Sequence, residues 1–227
     1  MSKMKNVLIL VTNHATLGDT NEVNGTYAPE LTHALHEFLD AGIGYQIASI
    51  KGGAAPVYGQ DMEGDDVNAQ MFKDEEFTQK LANTLKAADV NPKDFDAVYY
   101  PGGFGLLSDL AEDKNVAKLT ATIYEQGAVV GAVCHGPAAL LPIQLSNGKY
   151  LIEDITVTGF TREEEVEYQT IDKIPFVLEE ALTRKAGQYA KIAPWGVNVI
   201  KQDRVITGQN PPSAAAVGKA MVERINS

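Results

Sequence analysis

The sequence of 227 residues has little of several residue types, and each scarcity excludes a class of protein. Its one cysteine, Cys134, cannot form a disulfide within the chain, which excludes a disulfide-stapled secreted scaffold and fits a reducing compartment. Lysine and arginine number 19 against 30 acidic residues, a net charge of −11, and no local basic patch is present, so nucleic-acid binding is not expected. No apolar run approaches about 18 residues, so we expect no membrane-spanning helix.

The remaining composition is that of an ordinary globular protein, with 44% hydrophobic and 22% charged residues. The amino terminus resembles a signal peptide only superficially, because its apolar stretch from Val7 to Val11 is short and no small-residue cleavage site follows. We therefore expect a cytoplasmic protein. An α/β chain of this length is usually one domain, so residues 1–227 are predicted to form a single domain.

Short apolar runs alternate with helical patterns along the chain. Apolar runs predict strands at residues 7–11, 45–50, 97–100, 128–133 and 155–158, with a hairpin over 197–200 and 204–207. Helical patterns occupy residues 29–40, 74–88, 116–126, 136–141, 175–185 and 211–225, and Asn210 is expected to cap the last of them. This alternation predicts an α/β fold with a mainly parallel sheet, helices on both faces and ligands at the carboxyl ends of the strands. Residues 51–73 are predicted to be a long loop insert.

The sharpest local feature is the cysteine between the predicted strand at 128–133 and the helix that follows. Small residues lie two positions before and after Cys134, at Ala132 and Gly136. This is the steric requirement of a nucleophile elbow, in which a tight turn lifts the nucleophile above the sheet. The start of the following helix is expected to lower the thiol pKa, and the backbone N–H of His135 is expected to face a developing oxyanion. The alternative is a buried, inert cysteine.

A catalytic cysteine needs a base, and a third group to orient that base. No histidine follows His135, so a triad with a carboxy-terminal histidine is excluded and the adjacent His135 is the best candidate. The candidates for the orienting carboxylate are Glu163, Glu164 and Glu165, which follow a predicted strand. The alternative is that these glutamates only form a solvated helix start. His33 and His36 lie three apart on a helix but have no further ligands at metal spacing, so no metal site is expected.

Several blocks in order resemble the ThiJ/PfpI superfamily, which has a fold like that of class I glutamine amidotransferases. The resemblance is narrower to its glyoxalase III branch, which is related to heat-shock-induced chaperone-like proteins. It covers nearly the whole chain and depends on seven blocks: Gly25–Leu31, Tyr100–Gly105 with Asp109-Leu110, Ala132–Pro137, Thr158–Thr161 with the glutamates, Pro175–Glu179, Ala193–Trp195 and Thr207–Pro211. It implies a flavodoxin-like sandwich, commonly a homodimer.

The resemblance also implies roles for individual residues. The nucleophile of the family matches Cys134 and its histidine matches His135. The third, acidic member falls on Glu165, with Glu164 as the close alternative. A second acidic residue beside the thiol matches Glu30, which lies in the first turn of a predicted helix at the carboxyl edge of the sheet. Burial and a neighbouring thiolate should raise the pKa of that carboxyl, which makes it a proton donor and acceptor.

Glycines follow the third predicted strand, where Gly102 and Gly103 can bring backbone N–H groups close to a substrate and complete an oxyanion hole. A simple strand-ending turn is the alternative. Many members of this branch have Gly-His-Gly where this chain has Gly103-Phe104-Gly105. The aromatic ring of Phe104 therefore bears on the range of substrates and on turnover.

The leading hypothesis is a glutathione-independent glyoxalase that converts methylglyoxal and similar 2-oxoaldehydes to lactate and related acids, with deglycase-type activity sharing the same chemistry. It implies a small-molecule substrate and no metal or organic cofactor. One alternative is a stress-related holdase chaperone or redox sensor that uses an oxidisable Cys134. A further alternative is a cysteine peptidase or amidohydrolase.

Overall fold

The computed structural model describes residues 4–227, and the elements alternate through the chain as the sequence indicates. The strands are β1 (Asn6–Val11), β2 (Thr26–Tyr27), β3 (Gly44–Ser49), β4 (Val57–Tyr58), β5 (Leu85–Lys86), β6 (Ala97–Tyr100), β7 (Val129–Val133), β8 (Thr156–Val157), β9 (Gln188–Tyr189), β10 (Val199–Gln202) and β11 (Val205–Gly208). The α-helices are α1 (Ala28–Asp40), α2 (Asp66–Met71), α3 (Glu75–Ala82), α4 (Gly105–Ser108), α5 (Lys114–Glu125), α6 (Arg162–Glu167), α7 (Leu178–Lys185) and α8 (Ala214–Ile225).

A seven-stranded sheet in the order β10-β11-β7-β6-β1-β3-β5 forms the centre of the molecule. All its neighbouring strands are parallel except the edge pair, where β10 runs antiparallel to β11. The continuous apolar sequences of β1 and β7 follow from this position, because both faces of these strands are buried. The predicted α/β fold with a mainly parallel sheet is confirmed.

Helices cover both faces of this sheet, and alternate residues of one strand point to different layers. Val7, Ile9 and Val11 of β1 join a cluster that contains side chains of α1 and α8. Leu8 and Leu10 join the opposite cluster, to which α5 and α7 contribute. The carboxyl ends of β1, β6 and β7 are thereby held side by side between two buried layers.

The segment at 51–73, expected to be a loop, carries two elements of its own. Strand β4 pairs in parallel with β2, and α2 begins after Asp65, whose carboxylate accepts a hydrogen bond from the Asn68 amide. The helix predicted over 74–88 was too long. Helix α3 ends at Ala82, and β5 then pairs with β3 at the sheet edge. Thr84 favours this turn, since its hydroxyl donates to the Gly53 carbonyl.

Three other predictions need correction. Strand β8, predicted as part of the sheet, pairs with β9 in a separate two-stranded ribbon. The predicted helix after the cysteine is a 3₁₀ helix of five residues, Gly136–Leu140. Asn210, expected to cap the last helix, makes no such cap and instead donates to Glu164 and to the Gly196 carbonyl. Between residues 4 and 227, no helix has both the length and the apolar character to cross a membrane.

Candidate active site

Cys134 lies at the turn between β7 and the short 3₁₀ helix, at the carboxyl edge of the sheet. Its backbone has φ 60°, in the left-handed region that non-glycine residues rarely adopt. Its amide donates to the Gly208 carbonyl and its carbonyl accepts from the Phe160 amide, which holds the turn between neighbouring segments. A Cβ atom at Gly136 would lie 2.3 Å from the Tyr100 carbonyl oxygen, so only glycine fits after this turn. The turn has the form of a nucleophile elbow.

The side chain of His135 lies between the cysteine and a buried glutamate. Its Nδ1 is 3.4 Å from the Cys134 Sγ, and its Nε2 is 2.7 Å from the Glu165 Oε1. The other oxygen of Glu165 accepts a hydrogen bond from the Thr170 hydroxyl, a partner that the sequence did not reveal. The structure therefore brings Cys134, His135 and Glu165 together in the order that a nucleophile, a base and an orienting carboxylate require.

The neighbouring Glu164 points elsewhere. Its Oε2 accepts from the Thr161 amide in a capping box at the start of α6. Its Oε1 accepts from the Trp195 amide at 2.8 Å and from the side chains of Gln209 and Asn210 at 3.2 and 2.8 Å. Of the two carboxylates that the sequence left open, Glu165 contacts His135, and Glu164 joins α6 to the segments at 195 and 209–210.

Glu30, in the first turn of α1, has no exposed surface. Neither of its oxygens meets full hydrogen-bond geometry with a donor. The Cys134 thiol and the Gly102 backbone amide face this carboxyl, and both favour its charged form. Burial outweighs both and raises the pKa of Glu30 to about 8. The raised pKa expected from the sequence is therefore present, and its main cause is desolvation.

The thiol pKa moves in the direction opposite to the one expected from the sequence. Burial and the negative charges of Glu30, Glu165 and Glu164 raise the pKa of Cys134 well above its usual range. The helix that was expected to lower it has only five residues and is 3₁₀, so its dipole is short. Burial is the largest of these causes.

Two glycines close the floor of the site after β6. A Cβ atom at Gly102 would lie 2.2 Å from the Glu30 Oε2 and 2.8 Å from the Cys134 Cβ. Gly103 has φ 118°, and a Cβ there would lie 2.1 Å from the Gly25 carbonyl oxygen. Both positions thus require glycine: Gly102 passes directly beside the reactive groups, and Gly103 passes beside the backbone of residues 25–27. An oxyanion hole formed by their amides stays a prediction.

A cavity of about 200 Å³ opens above Cys134 and His135. The ring of His135 lies between Phe104 and Phe160, with centroids 4.4 and 4.6 Å away. The rest of the lining is mostly aromatic: Tyr27, Tyr58, Tyr168, Trp195 and Pro211. From the sequence, Phe104 was expected to bear on the range of substrates, whereas no role was assigned to the ring of Trp195. The Ala193-Pro-Trp195 block was the available signal, although the block does not show where the ring points.

The two helical histidines each pair with a carboxylate. His33 lies 2.8 Å from Asp65 and His36 lies 3.4 Å from Asp40. Over residues 4–227 the structure holds no group of three or more histidine, cysteine, aspartate or glutamate side chains arranged to bind a metal ion.

A parallel sheet covered by helices, with a cysteine at a left-handed turn beside a histidine–glutamate pair, defines a class of α/β proteins built around a nucleophile elbow. The chain belongs to the DJ-1/PfpI family, whose model matches residues 22–224. The resemblance stated from the sequence is thereby confirmed.

Relatives of this family extend the comparison over most of the chain. The probable glutathione-independent glyoxalase hsp3104 of Schizosaccharomyces pombe is 33% identical over 73% of this chain and 77% of its own. The Rapid Encystment Protein of 24 kDa from Francisella tularensis superposes with a TM-score of 0.92 at 34% identity, covering 98% and 99% of the two chains. Glyoxalase III from Candida albicans superposes with a TM-score of 0.85 at 26% identity, covering 97% of each chain.

Proposed function

We propose that this protein is a glutathione-independent glyoxalase that converts methylglyoxal and related 2-oxoaldehydes to 2-hydroxy acids. The observation that carries the proposal is the buried Glu30 carboxyl beside the Cys134 thiol. Its pKa of about 8 lies near the working range of a group that both takes and gives a proton. The relatives named as glyoxalases support the same activity.

The reaction begins at Cys134. Because burial raises the pKa of the thiol, its proton has to leave as the sulfur attacks. The Nδ1 of His135, 3.4 Å away, is placed to take that proton, and Glu165 stabilises the resulting imidazolium through Nε2. A carbon–sulfur bond forms at the aldehyde carbon, and the carbonyl electron pair moves to its oxygen, which is protonated to give a hemithioacetal.

Proton transfer between the two substrate carbons follows. Glu30, in its carboxylate form, or His135 removes the proton from the former aldehyde carbon, and a proton is returned to the neighbouring carbon. The first carbon is thereby oxidised to a thioester and the second is reduced to an alcohol, so no external oxidant is needed. Water then cleaves the carbon–sulfur bond, which releases the 2-hydroxy acid and restores the thiol.

The surroundings of the cysteine weigh against the alternative functions. A redox sensor needs an accessible, readily ionised thiol, whereas Cys134 is 5% exposed and its pKa is raised. The cavity of about 200 Å³ suits a small molecule rather than a peptide chain. As finer parts of the proposal, we place the protein in the cytoplasm and expect a homodimer, which sedimentation velocity would test.

The proposal is tested by measuring D- and L-lactate released from methylglyoxal without glutathione. Wild type is expected to form lactate, and Cys134→Ser and Glu30→Gln to lose it while keeping their folded circular dichroism spectra. If folded, reduced wild type forms no lactate, the proposal is wrong. The holdase reading would then be tested by suppression of client aggregation, which needs no Glu30 carboxyl.

A further inference from the structure

Trp195 forms the outer wall of the cavity. It is 38% exposed, and its ring centroid lies 5.7 Å from that of Phe160 and 6.2 Å from that of Tyr168. Its backbone has φ 63°, in the left-handed region. A non-glycine residue keeps such a conformation only where its surroundings determine it.

Helix α6 supplies those surroundings through two glutamates. The Trp195 amide donates to the Glu164 Oε1 at 2.8 Å, and the indole Nε1 donates to the Glu167 Oε2 at 2.6 Å. Glu164 has no exposed surface, so this contact is shielded from water. The same helix carries Glu165, which contacts His135. One short helix thus holds both the base and the aromatic wall.

The residues that line the cavity indicate which kind of substrate substituent Trp195 contacts. The reacting carbons of a substrate must reach Cys134, which leaves the substituent of the 2-oxoaldehyde facing the rings. A methyl group would leave most of these rings without a contact, whereas a flat ring can stack on them at the usual centroid separations of about 4.5–7 Å. None of the lining residues in the described part of the chain is lysine or arginine, so a charged acidic substituent has no partner there.

We propose that Trp195, held by Glu164 and Glu167, determines substrate specificity and selects 2-oxoaldehydes that carry an aromatic or similarly flat apolar substituent. The inference deepens the proposed function and rests on it. The reaction is unchanged: an aryl 2-oxoaldehyde and one water give the aryl 2-hydroxy acid, so phenylglyoxal gives mandelate.

The kinetic test compares phenylglyoxal with methylglyoxal for wild type, Trp195→Ala and Trp195→Phe. Trp195→Ala is expected to lower kcat/KM for phenylglyoxal about tenfold or more, mainly through KM, because a stacking partner is lost. The same change is expected to lower kcat/KM for methylglyoxal by a clearly smaller factor, because a methyl group loses less contact with the ring. Trp195→Phe keeps a ring and is expected to retain most of the preference. Val197→Ala, at an exposed position outside the cavity lining, is the control for loop substitutions.

The contact that holds the Trp195 indole is tested at Glu167, which is exposed, whereas Glu164 is buried. Glu167→Ala removes the acceptor for the indole N–H and is expected to raise KM for phenylglyoxal with little change in kcat. Glu167→Gln keeps an oxygen acceptor and is expected to restore the wild-type KM. If Glu167 had a merely structural role, Glu167→Ala would change KM for phenylglyoxal and for methylglyoxal alike.

A binding measurement needs no turnover, since Trp195 is the one tryptophan in the chain. Mandelate is expected to change the tryptophan fluorescence of wild type saturably, and lactate at the same concentrations is not. Lactate formed from methylglyoxal, with no mandelate response and equal effects of Trp195→Ala on both substrates, would overturn this inference and leave the glyoxalase proposal standing. Absence of lactate formation and of the mandelate response would overturn both.

Discussion

Glu30 connects the chemistry of the site to the stability of the fold. Its pKa is about 8 in the folded protein against 4.5 in an exposed chain, so between these values the folded state holds a proton that the unfolded state has lost. Stability therefore falls as pH rises through this window. The loss attributable to Glu30 reaches at most about 5 kcal/mol, at about 1.4 kcal/mol for each unit between the two pKa values.

Urea denaturation of wild type and Glu30→Gln at pH 5, 6.5 and 8 tests this pH dependence of stability. The glutamine cannot ionise, so the variant is expected to lose less stability than wild type across this range. The difference in slope isolates Glu30, since every other titrating group is shared. Parallel curves for the two proteins would show that Glu30 does not titrate in this window.

Glu164 and Glu165 are adjacent and both fully buried, yet their contacts predict that substituting them has different effects. Glu165→Gln removes the charge that stabilises a protonated His135 and is expected to lower kcat for methylglyoxal about 100-fold or more. Glu164→Gln places an amide among four N–H donors, and the unsatisfied donor is expected to cost about 2 kcal/mol of unfolding free energy with kcat within about threefold. Kinetics and denaturation of both variants check this; similar losses in both would contradict the assignment.

Among the elements, the turn after β6 places Gly102 beside both the Glu30 carboxyl and the Cys134 side chain. Gly102→Ala would place a methyl group 2.2 Å from the Glu30 Oε2, so Glu30 must move away from Cys134. We expect kcat for methylglyoxal to fall about 100-fold, because the proton-transferring group is misplaced. The control is Gly148→Ala, at φ 86° with no atom within 4 Å of the added Cβ. It is expected to cost about 1 kcal/mol in stability and to keep full activity. Unchanged activity in Gly102→Ala would remove Glu30 from the mechanism.

The sequence predicts some of these elements and misses others. The continuous apolar runs of β1 and β7 predict buried parallel strands, and the small residues around Cys134 predict its turn, because local sterics determine both. Strand β5 has no such signal, since both of its side chains are exposed and only pairing with β3 makes it a strand.

The parts of the site that depend on tertiary contacts are also hidden from the sequence. The choice between Glu164 and Glu165 depends on which way each side chain leaves a helix of six residues. The positions of Thr170 and Trp195 depend on how distant segments meet. Asn210 precedes the last helix as a cap would, yet its side chain donates to the buried Glu164, a contact that depends on tertiary packing.

For the whole molecule, the net charge of −11 distinguishes substrate from product. Methylglyoxal is neutral and lactate is an anion, so the acidic protein repels only the product. At about 0.01 M salt the repulsion extends roughly 30 Å, and at about 0.15 M roughly 8 Å. Raising NaCl over this range is expected to leave KM for methylglyoxal unchanged and to lower the inhibition constant of lactate roughly two- to fivefold.

Neutral lactamide is the matched inhibitor in this experiment, because it has the shape of lactate without the charge. Its inhibition constant is expected to stay constant with salt. If lactate and lactamide respond alike, the charge of the molecule does not act at the site. If only lactate responds, the acidic surface assists product release, since the reaction itself turns a neutral molecule into one that the protein repels.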